Sequence, residues 1–449
     1  MGPDSPSTTP DQDARNLLAE LYAVATAAVA PGPAVAQRLA GLPATLPKAI
    51  WVVALGKAAM PMARAAVDHL RQHNKEPLGG VIVAPAAGPA PSPSLQVLVG
   101  DHPEPGPGSF AAAEALDRLA ARIGSDDEVW VLLSGGTTSL IGAPVAGIAP
   151  DELTTLYQLL LGSGLDISAM NRIRKRFSRW AAGRLAQALA PARVRVLVVS
   201  DVIGDDLASI GSGPCVPDPS TAVQVRQLLE GAGLWEKIPI PVRRHLAEVE
   251  AGRLPETPKL GDPAFANVTL ELVASNRLAL EAAAKRAAEL GLTPVVAETP
   301  LAGEAAAAGA SVAATLLHNC GQYGISQHGG RCWIWGGETT VTLGSSSGLG
   351  GRCQELALAA ARALAGTSPG TTLLAAGTDG RDGPTDAAGA IVDGSTWKSI
   401  AVRGRDPERD LATHDAYRAL DAVGALLRPG LTGTNVMDVV MGVCLESEK

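Results

Sequence analysis

The sequence predicts an α/β protein built from two α/β domains, and three observations lead to that prediction. Short runs rich in Val, Ile and Leu alternate with helical segments along the chain. Most of these runs end in Gly or in a polar cluster, which is typical of strands buried on both faces of a parallel sheet. A Pro-rich region over residues 213–262 interrupts the alternation before it resumes, which indicates a second domain.

The N-terminal domain is predicted over residues 14–262, after a disordered tail over 1–13 that is rich in Pro, Ser and Asp. It opens with a helix from Ala14 to about Val29. A strand, a Gly-Lys turn and an Ala-rich helix follow over 48–70, and further strands are expected within 79–85, 95–103, 128–139 and 194–204. The C-terminal domain is predicted over 263–449, with strands within 267–276, 293–298, 331–344 and 371–380 and helices over 277–290 and from Gln354.

Composition argues against several classes of protein. The 449 residues are 46% apolar, enough for large cores, and their net charge of −8 argues against a nucleic-acid partner. No apolar run reaches the ~20 residues that span a bilayer, and the N-terminus does not resemble a signal peptide. The five cysteines are odd in number and form no C-x-x-C, so neither a zinc site nor a disulfide framework is expected. We therefore predict a cytoplasmic protein without a membrane partner.

Gly-rich and polar residues follow the predicted strands, at the sheet edge where open α/β sheets bind ligands. One loop consists of Ser134, Gly135, Gly136, Thr137, Thr138 and Ser139. Paired glycines let backbone N–H groups approach an anion, but ordinary strand-to-helix turns also use Gly and Ser, so both interpretations stay open. Lys57 follows Gly56 at the end of another strand, where a lysine either reaches solvent or acts as a point charge for a phosphate.

Aspartates follow two other predicted strands. Asp201, Asp205 and Asp206 come after the strand that ends near Ser200, and Asp379 and Asp382 lie in GTDGRDG. Aspartate after a strand is a common turn or cap residue, and it is also a usual ligand of Mg²⁺, so neither function is excluded.

A basic segment, MNRIRKRFSRW, carries Arg172, Arg174, Lys175 and Arg176. Such a run is more typical of a solvated helix face than of a site. His102, in GDHPEPGPG, is more often a structural residue than a base at such a position. The sequence contains no Walker A motif, and GLGGRC over 348–353 matches the dinucleotide fingerprint poorly.

Taken together, these segments resemble the class II glycerate kinases, the family with a MOFRL-type C-terminal domain. The resemblance covers the chain from about residue 14 to residue 443, and its pieces stand in the family's order. They are ALGKAA (54–59), GDHPEPGPGS (100–109), LLSGGTTSL (132–140), MNRIRKRFS (170–178), GRLA (183–186), VVSDVIGDDLASIGSGP (198–214), ASNRLAL (274–280), GGETTVTLG (336–344), GGRCQELALA (350–359), GTDGRDGPTDAAGA (377–390) and LTGTNVMDVV (431–440).

The resemblance implies a Rossmann-like N-terminal sandwich and a MOFRL-type C-terminal α/β domain around an interdomain cleft. It implies a kinase that uses ATP and Mg²⁺ to phosphorylate D-glycerate, usually at the 2-hydroxyl to give 2-phosphoglycerate. The family's two catalytic cations fall on Lys57 and Arg352.

The resemblance also suggests the other contacts. Nucleotide binding would involve the loop from Ser134 to Ser139 together with Gly337, Glu338, Thr378, Asp379 and Asn435. Substrate binding would involve His102, Asn171, Arg174 and Asn276. Mg²⁺ would be held by Asp201, Asp205 and Asp379.

The sequence departs from the family's pattern at Arg176, where His is usual, at Ala181-Ala182, where Lys-Gly is usual, and at Cys353, where Asn is usual. These departures leave the exact sugar acid open. An NAD(P)H-dependent hydroxypyruvate reductase stays an alternative, because some family members carry that name, and so does a non-catalytic sensor of a sugar acid. The position of phosphorylation, the preferred nucleotide, the general base and the oligomeric state, including a homodimer, stay open as well.

Overall fold

The computed structural model describes residues 9–323, 330–344 and 348–445. The chain divides into two compact units. We call residues 31–273 the inserted unit, and residues 1–30 with 274–449 the terminal unit. Each unit contains one six-stranded sheet with helices, so the predicted pair of α/β domains is confirmed.

The sheet of the inserted unit has the order β3-β2-β1-β4-β5-β6. Its strands are β1 Ile50–Leu55, β2 Gly79–Ala84, β3 Leu95–Val99, β4 Glu128–Leu133, β5 Arg193–Val199 and β6 Val268–Ala274. Its helices are α2 Pro31–Ala40, α3 Ala59–Gln72, α4 Pro107–Ala120, α5 Thr137–Leu140, α6 Pro150–Leu161, α7 Ile167–Phe177, α8 Arg184–Leu189, α9 Ala222–Gly231 and α10 Ile240–Glu250. Strands β1 to β5 are parallel, and β1, β2 and β4 are buried along their whole length, as their apolar runs predict.

The region over 213–262, which the sequence presents as a connection, contributes to a second apolar core of the inserted unit. Helices α9 and α10 lie in it, and their buried faces pack with those of α6 and α7. Val225, Leu229 and Leu246 are fully buried there. The Pro-rich stretches at the ends of this region led to the prediction of a connecting segment, whereas its helices share an apolar core with α6 and α7.

The sheet of the terminal unit has the order β11-β10-β9-β12-β8-β7. Its strands are β7 Thr293–Val296, β8 Arg331–Gly337, β9 Thr371–Gly377, β10 Gly389–Asp393, β11 Leu426–Leu427 and β12 Asp438–Cys444. Its helices are α1 Pro10–Ala28, α11 Asn276–Glu289, α12 Ala305–Tyr323, α13 Arg352–Leu364, α14 Thr396–Val402, α15 Pro407–Ala412 and α16 Ala416–Asp421. Strand β12 is antiparallel to both β8 and β9, and β10 is antiparallel to β9 and β11, whereas β7 and β8 are parallel.

The boundaries between the units differ from the predicted ones at both ends. Helix α1 begins at Pro10 rather than Ala14 and packs on α11 and β9, so it belongs to the terminal unit. Strand β6 continues the first sheet beside β5, so the second boundary falls at 273/274 rather than 262/263. Both choices depend on contacts far apart in sequence, which local patterns do not encode. Residues 1–8 of the predicted disordered tail lie outside the described residues.

The placement of α1 yields a stability prediction. The buried Tyr22 hydroxyl donates a 2.7 Å hydrogen bond to the Gly377 carbonyl in β9. Tyr22→Phe leaves that carbonyl without this donor, and we expect urea unfolding to show a loss of about 1–2 kcal/mol. Tyr157→Phe is the matched control, since within the described residues the buried Tyr157 hydroxyl has no hydrogen-bond partner. Equal losses in the two variants would contradict the placement.

The cysteines also differ from expectation. Cys320 in α12 and Cys444 in β12 form a disulfide, whereas the other three cysteines are free and buried. The two cysteines are 124 residues apart in sequence, so their pairing could not be predicted from their spacing. They become neighbours because α12 and β12 contact each other in the folded unit.

In the described ranges no single helix is long and apolar enough to cross a membrane, and one bent pair, α1 with α2, meets that test jointly by length and composition alone.

Candidate active site

The loops that follow β1 and β4 meet at the point where the strand order of the first sheet reverses. From β1 the chain goes to β2 and β3 on one side, and then to β4 and β5 on the other. Leu55 and Leu133 are paired at the ends of β1 and β4, so Lys57 and Ser134 leave the sheet side by side. Open α/β sheets bind their ligands at such a reversal, outside the carboxyl ends of the strands.

The two loops are in such close contact that Gly56 tolerates no side chain. Its φ is +115°, and a Cβ there would come within 2.3 Å of the Ser134 hydroxyl oxygen. That hydroxyl accepts a hydrogen bond from the Ala58 N–H and donates one to the Leu55 carbonyl. The Lys57 N–H donates to the Gly135 carbonyl at 2.9 Å. The backbone around Lys57 is therefore held in place by the loop over residues 134–139, which we call the glycine loop.

All four hydroxyl groups of the glycine loop are hydrogen-bonded, two within the loop and two to residues outside it. The Thr137 hydroxyl donates to the Ser134 carbonyl, and the Ser139 hydroxyl to the Gly136 carbonyl. The Thr138 hydroxyl pairs with the Ser212 hydroxyl at 2.7 Å. By contrast, the N–H groups of Gly135 and Gly136 meet no acceptor among the described residues. The loop therefore offers backbone N–H groups, rather than its side chains, to an anion.

Asp201 and His102 lie beside Lys57 and the glycine loop. A Cβ on Gly135 would come within 1.7 Å of the Asp201 carboxylate, and a Cβ on Gly136 within 3.3 Å of both the Lys57 and the His102 side chains. Burial raises the pKa of Asp201, and the Lys57 charge partly opposes that rise. Partial burial and the Lys57 charge both lower the pKa of His102. The inserted unit thus gathers a cation, a carboxylate and a neutral imidazole at one sheet edge.

The aspartates predicted as metal ligands are not brought into one cluster. Asp201 and Asp205 belong to the loop after β5, whereas Asp379 follows β9 in the terminal unit. Asp206 has a turn function, since its carboxylate accepts bonds from the Ala208 N–H and the Ser209 hydroxyl. Asp382 caps α13 by accepting the Gln354 N–H at 2.8 Å. In the described part of the chain no group of three or more His, Cys, Asp or Glu is arranged to hold a metal.

Arg352 begins α13 and is bound by two carboxylates of its own unit. Its Nε and Nη2 donate to the two Asp438 oxygens at 2.6 and 2.8 Å, and its Nη1 lies 3.0 Å from Glu338 Oε1. The Arg352 side chain is 33% exposed, and the hydrogens left on Nη1 and Nη2 stay available for a further acceptor. Glu355, which follows in the same helix, pairs with His414 instead.

The other predicted nucleotide and substrate residues of the terminal unit make internal bonds. The Thr378 hydroxyl donates to the Met437 carbonyl, and Asn435 accepts the Met437 N–H. Asn276 donates both amide hydrogens to carbonyls of the segment that enters β12, at Val436 and Asp438. These bonds hold the loop before β12 against α11 and β9, and any ligand contacts of these residues stay predictions.

The remaining predicted nucleotide-binding residues lie at the end of β8 and in the turn after β9. Gly337 ends β8 with a φ of +143°, and the Glu338 N–H donates to the Leu301 carbonyl. Asp379 accepts the N–H of Arg381, two residues further on, as in an Asx turn.

The basic segment forms α7, and its cations have different surroundings. Arg176 is fully buried, bonded to Glu256 at 2.7 Å and to the Ser220 carbonyl. The Arg174 guanidinium stacks on the Tyr157 ring at 5.1 Å. Arg176, which departs from the family's pattern, therefore serves the packing of α7 against the segment over 218–257. The other departures, Ala181, Ala182 and Cys353, are buried as well.

Two residues of these sites escaped the sequence analysis. Asp438 orients Arg352. The Asp218 carboxylate forms ion pairs with Lys175 Nζ at 2.8 Å and with Arg176 Nη2 at 3.7 Å. Both lie in segments quoted for the resemblance or next to one, LTGTNVMDVV and the GSGP stretch. A charged residue that precedes an apolar strand, as Asp438 does, is the signal that could have identified the first of them.

The fold and the site define a two-unit α/β protein with a glycine loop, a lysine and an aspartate where the order of its parallel sheet reverses. Two family models match this chain. One, described as a domain of unknown function (DUF4147), matches residues 17–247. The other, the MOFRL family, matches residues 331–438.

Individual relatives agree with these matches. A glycerate 2-kinase of Pyrococcus horikoshii is 38% identical over 394 residues, which cover 88% of this chain and 87% of that protein. A protein of Agrobacterium vitis, provisionally named a hydroxypyruvate reductase, is 36% identical over 96% of this chain and 94% of its own length. The crystal structure of glycerate kinase from Thermotoga maritima matches with a TM-score of 0.87 at 36% identity and covers 97% of this chain and 100% of that chain. This chain belongs to the class II glycerate kinase family, as its motifs predict.

Proposed function

We propose that this protein transfers the γ-phosphoryl group of ATP to D-glycerate, at the 2-hydroxyl, to give 2-phosphoglycerate. The observation that carries the proposal is the meeting of Lys57, the glycine loop and Asp201 at the reversal of the first sheet. Phosphoryl transfer needs positioning and charge neutralisation more than covalent chemistry, and this arrangement supplies both. The names of the relatives at 36–38% identity support the same reaction.

In this mechanism backbone N–H groups and charged side chains share the binding and stabilisation of the transferred phosphoryl group. The N–H groups of Gly135 and Gly136 bind phosphate oxygens, and Lys57 neutralises the charge that develops on the transferred group. The family resemblance assigns the role of a second catalytic cation to Arg352, which belongs to the terminal unit. Asp201 accepts the proton of the attacking hydroxyl or binds the metal, and His102 stays neutral beside Lys57 because its pKa is lowered.

Mg²⁺ is the metal that this reaction would use, and it neutralises phosphate charge when bound. Asp201 and Asp205 are the residues that would hold it, and they fit because Mg²⁺ takes one or two carboxylates and completes its shell with water and phosphate oxygens. A larger carboxylate cluster is not required for that binding mode.

Metal removal should therefore lower turnover of D-glycerate at least ~10-fold in excess EDTA, and added Mg²⁺ should restore it. Asp201→Asn should raise the Mg²⁺ concentration that gives half-maximal activity. Asp151→Asn, on the exposed start of α6, is the control and should leave that concentration unchanged. Undiminished turnover in EDTA would contradict the metal requirement.

The reaction itself is tested by mixing the protein, Mg-ATP and D-glycerate and identifying the product by ³¹P NMR. A 2-phosphoglycerate signal is expected. A 3-phosphoglycerate signal would correct the position of transfer, and consumption of NAD(P)H with hydroxypyruvate, without phosphorylation, would favour the reductase alternative. The segment GLGGRC does not support that alternative, because β8 and β9, which flank α13 in the chain, are separated in the sheet by antiparallel β12 and so are not the adjacent parallel strands of a dinucleotide-binding βαβ unit. A cytoplasmic location and a homodimer stay predictions.

A further inference from the structure

A cavity of about 280 Å³ opens beside α7 in the inserted unit, and the mechanism above does not use it. Its walls come from α7, from the loop after β5 and from the segment that enters α9. The lining residues that matter here are Asn171, Arg172, Lys175, Asp206, Ser209 and Gln224. All of them belong to the inserted unit, and the cavity is large enough for a three-carbon acid.

Lys175 provides a fixed positive charge in this cavity. It is 4% exposed, and its Nζ lies 2.8 Å from the buried Asp218 carboxylate. Asp218 is itself held by the N–H and hydroxyl of Ser220 and by the Thr257 hydroxyl. An ammonium group has several donors, so Lys175 keeps hydrogens for a second acceptor at a position that Asp218 determines.

Asn171 and Arg172 add donors that have no use within the fold. Within the described residues neither side chain has a hydrogen-bond or ion-pair partner. Asn171 and Lys175 are four residues apart, so they share a face of α7, and Arg172 lies at the exposed rim. Arg174 and Arg176, by contrast, are engaged by Tyr157 and Glu256 and do not line the cavity.

The loop after β5 lines the cavity with oxygen atoms rather than cations. The Asp206 carboxylate and the Ser209 hydroxyl lie in the loop that starts at Asp201 and ends at Ser212. Ser212 is bonded to Thr138 of the glycine loop, so one loop borders both the cavity and the site around Lys57. Cationic donors from α7 and oxygen acceptors from this loop suit a molecule with a carboxylate at one end and hydroxyl groups at the other.

We propose that this cavity binds the carboxylate of the acceptor hydroxy acid through Arg172 and Lys175, with its hydroxyl end toward the loop over 206–209. The inference rests on the proposed kinase function. The proposal assigns carboxylate binding to Arg172 and Lys175 instead of Arg174, which the sequence had suggested. Asn171 remains a proposed substrate-binding residue.

The test compares wild type with Arg172→Ala, Arg172→Lys and the control Arg179→Ala, whose arginine pairs with Asp117 on the surface. Arg172→Ala should raise both the Kd for D-glycerate, measured calorimetrically without ATP, and its KM about 10–100-fold, because a charge-assisted hydrogen bond is lost. The KM for ATP should stay within about twofold, and Arg172→Lys should recover part of the affinity. Circular dichroism checks that the variants fold.

The failures of the two proposals can be told apart. Wild type that phosphorylates D-glycerate, with an Arg172→Ala variant whose Kd and KM for D-glycerate stay within about twofold, overturns the cavity assignment alone. An equal rise of the KM for ATP and for D-glycerate also overturns it, since that result indicates a general disturbance. Wild type that neither binds nor phosphorylates D-glycerate overturns the proposed function, and the cavity assignment with it.

Discussion

Replacing Lys57 by alanine is expected to lower kcat about 10²–10³-fold, which is the usual effect of removing one group that stabilises developing charge. Lys57 follows a turn fixed by Gly56 and by the bond from its own N–H to Gly135, so its ammonium is delivered to one place at the glycine loop. Within the described residues its side chain has no ion-pair partner that would explain it as a structural residue. The measurement is steady-state kinetics with ATP and D-glycerate on variants whose unfolding curves match wild type.

Lys48→Ala is the matched control for Lys57→Ala. Lys48 is exposed and lies just before β1, at the opposite end of the same strand. It should keep wild-type kcat, since the loss of positive charge is equal but the position differs. Near-normal turnover in well-folded Lys57→Ala, or an equal loss in both variants, would remove Lys57 from the mechanism.

Replacing Arg352 by lysine is expected to lower kcat about 10–100-fold even though the positive charge is kept. Lysine cannot reproduce the planar fork that joins Asp438 on one edge and leaves hydrogens on Nη1 and Nη2 for a phosphoryl oxygen. A purely structural arginine, which pins the start of α13 to β12, predicts lost thermal stability with kcat retained in the folded fraction. The two outcomes are separated by kcat measured per mole of folded enzyme.

Arg362→Lys serves as the control for Arg352→Lys, because Arg362 belongs to the same helix and pairs with Glu408 on the surface. Asp438→Asn adds a second test of orientation. It keeps the shape of the residue but weakens its hold on Arg352, so kcat should fall with little change in either KM. Wild-type kcat in both Arg352→Lys and Asp438→Asn would restrict Arg352 to a structural role.

In the first sheet, β1, β2 and β4 were predictable because they are buried along their whole length, so each appears in the sequence as a continuous apolar run. The terminal unit was less predictable although β9, β10 and β12 are also buried along their whole length. Strands β10 and β11 are short, and β12 was noticed only within a family motif. Helix α1 belongs to the terminal unit because it packs on α11 and β9, and β6 belongs to the inserted unit because it lies beside β5. These partners are far away in sequence, so local patterns do not indicate the contacts.

The site was predictable as a set of segments but not as a set of interactions. The glycine loop and Lys57, which each follow a strand, correctly indicated the edge of the sheet at which these residues meet. Which acidic residue faces which cation was not visible, because Asp201, Asp218 and Asp438 each meet a partner more than 40 residues away. The same holds for the basic segment, where Arg172 lines a cavity, Arg174 stacks on an aromatic ring and Arg176 pairs with the partly exposed carboxylate of Glu256.

The central position of β12 has a consequence for the way the protein is made. The inserted unit contains only residues 31–273 and its sheet is complete once β6 has left the ribosome, well before synthesis ends. In the terminal unit β8 and β9 flank β12, which spans Asp438–Cys444 near the end of the chain. Helix α1 is translated before the inserted unit and must therefore wait for β12 before its own unit can close, so the nascent chain carries a folded domain between two halves that are still incomplete.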